Sequence, residues 1–255
     1  MRAWAIFKKE LRVYFSSPIA YAVLTIFALI SGWFFYNVFG FYVMASMQAA
    51  MNPMMARDMS IVEGVLRPLF QNMSVIMLLM MPILTMRLFS EEKKSGTIEL
   101  LLTYPVRDGE VLLGKYLAAL AVFVAMLALT LAYPLIMAWV TPLEAGPLAT
   151  GYLGLLLQGA AFIAIGILIS SLTENQIVAA VATFGTLLIF WVIAWASDSA
   201  GGSLGRVLSH VSLTEHFDLF SKGVIDTKDL IYYLNLTILA LFLTLRSLDS
   251  KRWRG

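Results

Sequence analysis

Six stretches of this chain run for roughly 20 residues without one ionisable side chain, and nothing constrains the fold more. They are approximately Ile19–Val43, Leu69–Met86, Tyr116–Val140, Tyr152–Leu172, Ile177–Ala196 and Leu230–Leu245. A bilayer core about 30 Å thick is crossed by about 20 apolar helical residues. Only helices or closed barrels satisfy their backbone there. All 34 charged residues, 18 Lys and Arg and 16 Asp and Glu, fall outside these runs. The chain is expected to be an all-α integral membrane protein with a single domain over residues 1–255 and six spans. Residues 152–196 could be misread as one long helix interrupted at Thr173-Glu174-Asn175. Its length exceeds the bilayer and forces a hairpin.

Lys and Arg set the orientation. With the N-terminus inside, 13 of them face the cytoplasm and 5 face outward, whereas the acids divide 8 and 8 and decide nothing. Both termini are expected to be cytoplasmic. The first apolar run exceeds the 7–15 residues of a signal-peptide core, so it reads as a retained anchor. With 13% charged residues and short inter-span segments, no soluble module fits. The absence of cysteine excludes disulfides and thiolate chemistry.

Residues 1–16 read as an interfacial helix. Trp4, Phe7, Leu11, Tyr14 and Phe15 share one stripe, and Arg2, Lys9 and Arg12 occupy the other side. Such a helix suits an anionic inner leaflet, making membrane lipid a partner. After the second span, Ser90 ahead of Glu91 and Glu92 reads as a helix start. Gly96 interrupts that helix, a short apolar helix follows over 97–103, and Tyr104 before Pro105 ends it. Asp108 reads as the cap of the helix that enters the third span. The exposed leucines of this crosswise segment point to a docking surface.

The run Glu91-Glu92-Lys93-Lys94-Ser95-Gly96-Thr97-Ile98-Glu99-Leu100-Leu101-Leu102-Thr103-Tyr104-Pro105, followed by Gly114-Lys115, resembles the hallmark of ABC-2 type transporter permeases. Those carry a Glu, a Gly-Thr-x-Glu-x-Leu run and a Pro at this place. The resemblance implies a type V exporter-like fold in which residues 90–104 form a cytoplasmic coupling helix. Glu91, Glu92, Gly96, Thr97, Glu99 and Leu100 would then face a separate ABC ATPase. The turn at Thr173, Glu174 and Asn175 is similar to the family's tight cytoplasmic turn and would share that contact. Leu213 to Asp226, followed by Asp229-Leu230, resembles the gliding-motility-type branch.

The extracytoplasmic segment 197–228 holds two short helical patterns after Gly201-Gly202, one with Leu204, Val207 and Leu208 and one with Phe217, Leu219 and Phe220. By the same resemblance these would cap a pathway, with Phe217 and Phe220 as candidate gate residues. Two ATPase copies would pair with two permease copies, or with one copy and a related permease. An auxiliary protein with an extracytoplasmic domain is a further candidate partner. The expected location is the bacterial inner membrane.

This chain has no Gly-x-x-x-x-Gly-Lys-Ser/Thr phosphate loop, since Tyr116 follows Gly114-Lys115. ATP and Mg would therefore be bound by the partner ATPase, with no cofactor and no catalytic residue in this chain. His210 and His216, six apart and without a third ligand, argue against a metal site. A nucleic-acid partner is not expected. The spans lack the ionisable residues a proton- or sodium-coupled carrier uses. The function implied is the permease subunit of an ATP-driven exporter. The alternative is a non-transporting complex that turns ATPase motion into mechanical or assembly work outside the membrane. Gly159 and Gly166 give the fourth span a small-residue face, and Pro82 and Pro134 are expected to kink their helices. Asn37, Ser74, Gln158 and Thr186 either line a pathway or bond between helices.

Overall fold

The computed structural model describes residues 2–51, 60–97 and 107–252, and these are helical with short connections. Helix α1 (Arg2–Ser16) ends at a bend, and Pro18, whose fixed φ suits a first helical turn, opens α2 (Pro18–Met51). After a π-helical turn (Val62–Leu66) come α3 (Arg67–Thr85) and α4 (Arg87–Lys94). The third run forms α5 (Asp108–Thr130) and α6 (Ala132–Ala138), and the fourth and fifth form α7 (Ala145–Leu172) and α8 (Gln176–Ala200). Two short helices, α9 (Gly202–Val211) and α10 (Leu213–Ser221), precede α11 (Thr227–Arg252).

Among the described residues, six helical segments are long and apolar enough to cross a membrane, and they coincide with the six apolar runs. The all-α expectation therefore holds, including the short helices before the last span. The helices run further than the apolar runs. At 1.5 Å per residue, the 34 residues of α2 reach about 50 Å. Its outer end projects well beyond a bilayer core of about 30 Å.

Helix α7 sits at the centre, packed against α3, α5, α8, α10 and α11. Its glycines permit this. A Cβ on Gly159 would stand 2.1 Å from the Phe123 ring of α5, and one on Gly166 would stand 2.1 Å from the Thr85 hydroxyl of α3. Gly159 and Gly166, seven residues apart, share one face, and along its length that face meets first α5 and then α3. By contrast α2, α8 and α11 leave large apolar side chains such as Trp33, Ile189 and Phe242 exposed, as lipid-facing helices do.

Pro82 lies inside α3, which gives way to α4 at Met86, one turn later. Pro134 cannot donate to Thr130, and the third span breaks there, between α5 and α6. Of Asn37, Ser74, Gln158 and Thr186, Gln158 and Ser74 form an interhelical pair, with Nε2 donating to Oγ at 2.8 Å. Asn37 and Thr186 donate to carbonyls of their own helices and stay exposed.

Candidate coupling site at the basic end of the bundle

The helix carrying Glu91 does not begin at Ser90. Helix α4 starts at Arg87, nearly continuous with α3, and Ser90 is buried within it. Its hydroxyl donates to the Met86 carbonyl one turn back, a bond that lets serine sit inside a helix without capping it. The next helix likewise starts one residue earlier than expected. Arg107 occupies the cap position, the Glu110 side chain accepts from its N–H, and Asp108 is the first helical residue.

The join between α3 and α4 is held from three sides. The Tyr14 hydroxyl of α1 donates to the Leu84 carbonyl at 2.8 Å. Ser170 Oγ of α7 donates to the Met86 carbonyl at 2.9 Å, and Lys115 Nζ of α5 donates to the Leu88 carbonyl at 2.7 Å. Three alternate carbonyls are thus engaged by three different helices. Ser170 Oγ also accepts from the amides of Phe89 and Ser90 at 3.1 and 3.2 Å, which uses the full capacity of one hydroxyl.

Lys115 is the centre of an ionic cluster. It is 1% exposed, and its ammonium lies 3.1 Å from Glu10 Oε1 and 2.8 Å from Glu92 Oε1. With the Leu88 carbonyl, these acceptors take all three of its protons. Lys9 closes the cluster at 3.1 Å from Glu10 and 3.4 Å from Glu92. Burial pushes the Glu10 carboxyl up, but Lys115 and Lys9 outweigh it and hold the group below the usual carboxylate range. Beside the cluster lies a cavity of about 120 Å³ bordered by Tyr14, Arg87 and Glu91.

The helices approach closely here because Gly114 has no side chain. A Cβ there would meet Ile6 Cγ2 at 2.7 Å and the Ala3 carbonyl at 3.0 Å. The Gly114-Lys115 pair of the sequence motif is therefore where α1 docks on α5.

Glu91 is half exposed and, among the described residues, pairs only with Arg87 of its own helix, at 3.3 Å. Gly96, with φ +69°, and Thr97 are exposed at the end of α4. Glu92 is turned inward to Lys115, away from the surface the sequence motif would give it. Glu99 and Leu100 lie outside the described residues.

The turn after α7 is brought to the same place. Lys93 Nζ donates to the Ser171 carbonyl. Thr173 leaves the helix in extended geometry, and the Asn175 side chain caps α8 by accepting from Ile177 N at 2.9 Å and Val178 N at 3.4 Å. Glu174 stays exposed. Segments about 80 residues apart in sequence thus form one surface.

On α1, Phe7 and Leu11 pack against the core, whereas Trp4 is 59% exposed and stacks on Phe7 at 4.8 Å. Glu10 was missed as a site residue, yet its signal was present. It borders the apolar stripe, one turn from both Phe7 and Tyr14, where an acid turned toward the core needs a buried cation.

At the opposite end, Phe217 and Phe220 are 1% and 0% exposed. Their rings close over Gly154, where a Cβ would come within 2.5 Å of Phe220 Cβ. The structure places both in the core, not along an opening. Asp218, between them, pairs with Arg67 at 2.8 Å and with Lys222. Burial raises its carboxyl, and these two cations bring it below the ordinary range. His216 Nδ1 lies 2.6 Å from Asp229 Oδ1, and its ring stacks on Tyr232 at 3.9 Å.

Fold and site together define a multi-pass helical membrane protein whose α3–α4 join is gripped by three neighbouring helices at its basic end. The chain belongs to the ABC-2 family of transporter proteins, whose family model matches residues 4–246. No curated protein matches it.

Proposed function

We propose that this chain is the membrane-spanning subunit of an ATP-driven exporter, moved by a separate ATPase that docks on the surface formed by Glu91, Gly96, Thr97 and the Thr173–Asn175 turn. One observation carries the reading. The exposed end of α4 is rigidly continuous with a join that α1, α5 and α7 all hold. A displacement applied there would reach every helix in contact with α7. Closure of two ATPases on nucleotide would supply the differential binding that shifts the bundle between two states. Family membership supports the ATPase partner. Pairing with a second permease copy, or with a related permease, fits the apolar faces left exposed on α2, α8 and α11.

The test is co-purification with the ATPase, followed by hydrolysis and solute movement measured in the same vesicles. Glu91→Lys should leave insertion and basal hydrolysis intact while lowering transport per ATP at least tenfold. Normal transport by that variant would remove Glu91 from the contact. Hydrolysis without movement of any solute by the wild type would favour the mechanical alternative.

A further inference from the structure

Outside the ionic cluster, the elbow between α1 and α2 forms a second basic feature. A groove of about 400 Å³ is lined by Lys9, Arg12, Val13, Ser16, Ser17 and Arg87. Three cations and two hydroxyls converge there, and among the described residues no acidic side chain lines it. Arg12 is exposed and makes no ion pair among the described residues. Arg87 is oriented by Ser17, whose Oγ accepts from its Nη1 at 3.1 Å. Its Nε faces Glu91, and Nη2 has no partner among the described residues.

Depth along the bundle indicates what such a groove meets. Ser16 and Ser17 directly precede Pro18, where the first span begins, and Arg87 opens α4 just after Met86 closes α3. All three stand at the margin of the apolar layer, on the side rich in Lys and Arg. Exposed aromatics mark the same level. Phe15 and Tyr21 flank the elbow in edge contact at 5.9 Å, and Tyr21 is 55% exposed. Aromatic rings of this kind settle at the headgroup layer.

We infer that this groove binds the phosphate of an anionic phospholipid headgroup, held by the Arg12 and Arg87 guanidiniums and the Lys9 ammonium. Guanidiniums match phosphate oxygens in pairs. Ser16 donates to the Arg12 carbonyl, so Ser17, which accepts from Arg87, is the hydroxyl that adds a donor. The occupant is a lipid because the groove opens at the membrane margin beside exposed apolar side chains. A soluble phosphate would gain nothing from that position. Lys9 also contacts Glu10 and Glu92, and Arg87 contacts Glu91. The lipid site therefore shares two side chains with the coupling end, and binding there would bias how α1 sits against α4.

The test uses the full chain in detergent, with native mass spectrometry of bound phosphatidylglycerol against phosphatidylcholine and inorganic phosphate as a competitor. Wild type should retain phosphatidylglycerol selectively, and inorganic phosphate should not displace it. Arg12→Gln should weaken that binding about fivefold, the equivalent of the ~1 kcal/mol a basic side chain contributes near an anionic surface. Arg246→Gln, with the same charge change outside the groove, should shift it less than twofold. Equal retention of both lipids, equal losses in the two variants, or displacement by inorganic phosphate would each overturn the assignment. Arg12 is exposed, so its variant tests binding without challenging the fold.

Discussion

Lys115 is buried with two carboxylates, and burial sets the scale of what its loss would do. Removing one member of a buried ionic set leaves the others desolvated and unpaired, at a cost of roughly 3–5 kcal/mol. Lys115→Met should lower unfolding stability in detergent by about that much. Lys9→Ala should cost under about 1 kcal/mol, since that side chain is 56% exposed. Equal effects would mean that Lys115 is not the hub. The pH dependence follows from Glu10. Its carboxyl is held below the unbound value of 4.5. Its contribution is therefore complete above 4.5 and fades as the pH falls from there through the lower folded value. Docking of α1 should weaken over that acidic window, and a Glu10→Gln variant should lack this part of the acid transition. Thermal unfolding followed against pH in both proteins checks it.

At the level of elements, the α1–α5 contact depends on one missing side chain. Gly114→Val forces a Cβ into Ile6 and the Ala3 carbonyl, and overpacking of this kind costs typically 1–3 kcal/mol. We expect α1 to lift, exposing Lys8, Lys9 and Arg12 to faster tryptic cleavage while the spans stay protected. Unchanged cleavage would show that α1 accommodates the side chain by sliding. The α3–α4 join is the complementary case. Its rigidity comes from side chains on other helices, so α4 moves with its neighbours and not as a free loop. Pro82 one turn earlier removes a backbone bond, and Tyr14, Ser170 and Lys115 supply bonds just beyond it.

For the whole molecule, the absence of native cysteine makes topology directly measurable. Thr97→Cys and Glu174→Cys should react with an impermeant maleimide only after the inner face is opened. Ser203→Cys, ahead of the last span, should react in intact cells. Labelling of Thr97→Cys from outside would reverse the orientation and end the coupling proposal. The distribution of packing is equally informative. α3 and α7 are largely covered within one chain, whereas α2, α8 and α11 are not. The most covered part of the bundle is therefore the part tied to α4.

Much of this architecture was legible in the linear order of residues, because bilayer thickness and the cost of burying charge act on any helix independently of its neighbours. The number of spans, the all-helical fold, the break at Pro134 and the two short helices before α11 follow from such local rules. The Glu91–Pro105 run indicated the family by resemblance and not by such rules. Interactions between helices are different, since they depend on which faces meet. Ser90 looked like a cap and became a buried strut. Lys115 stood out only as a cytoplasmic charge beside Gly114 and is the hub for Glu10 and Glu92. Phe217 and Phe220 were candidate gate residues and fill the space that Gly154 leaves. A residue's chemistry is written in its type, but its partner is chosen by packing, and only the tertiary structure decides that.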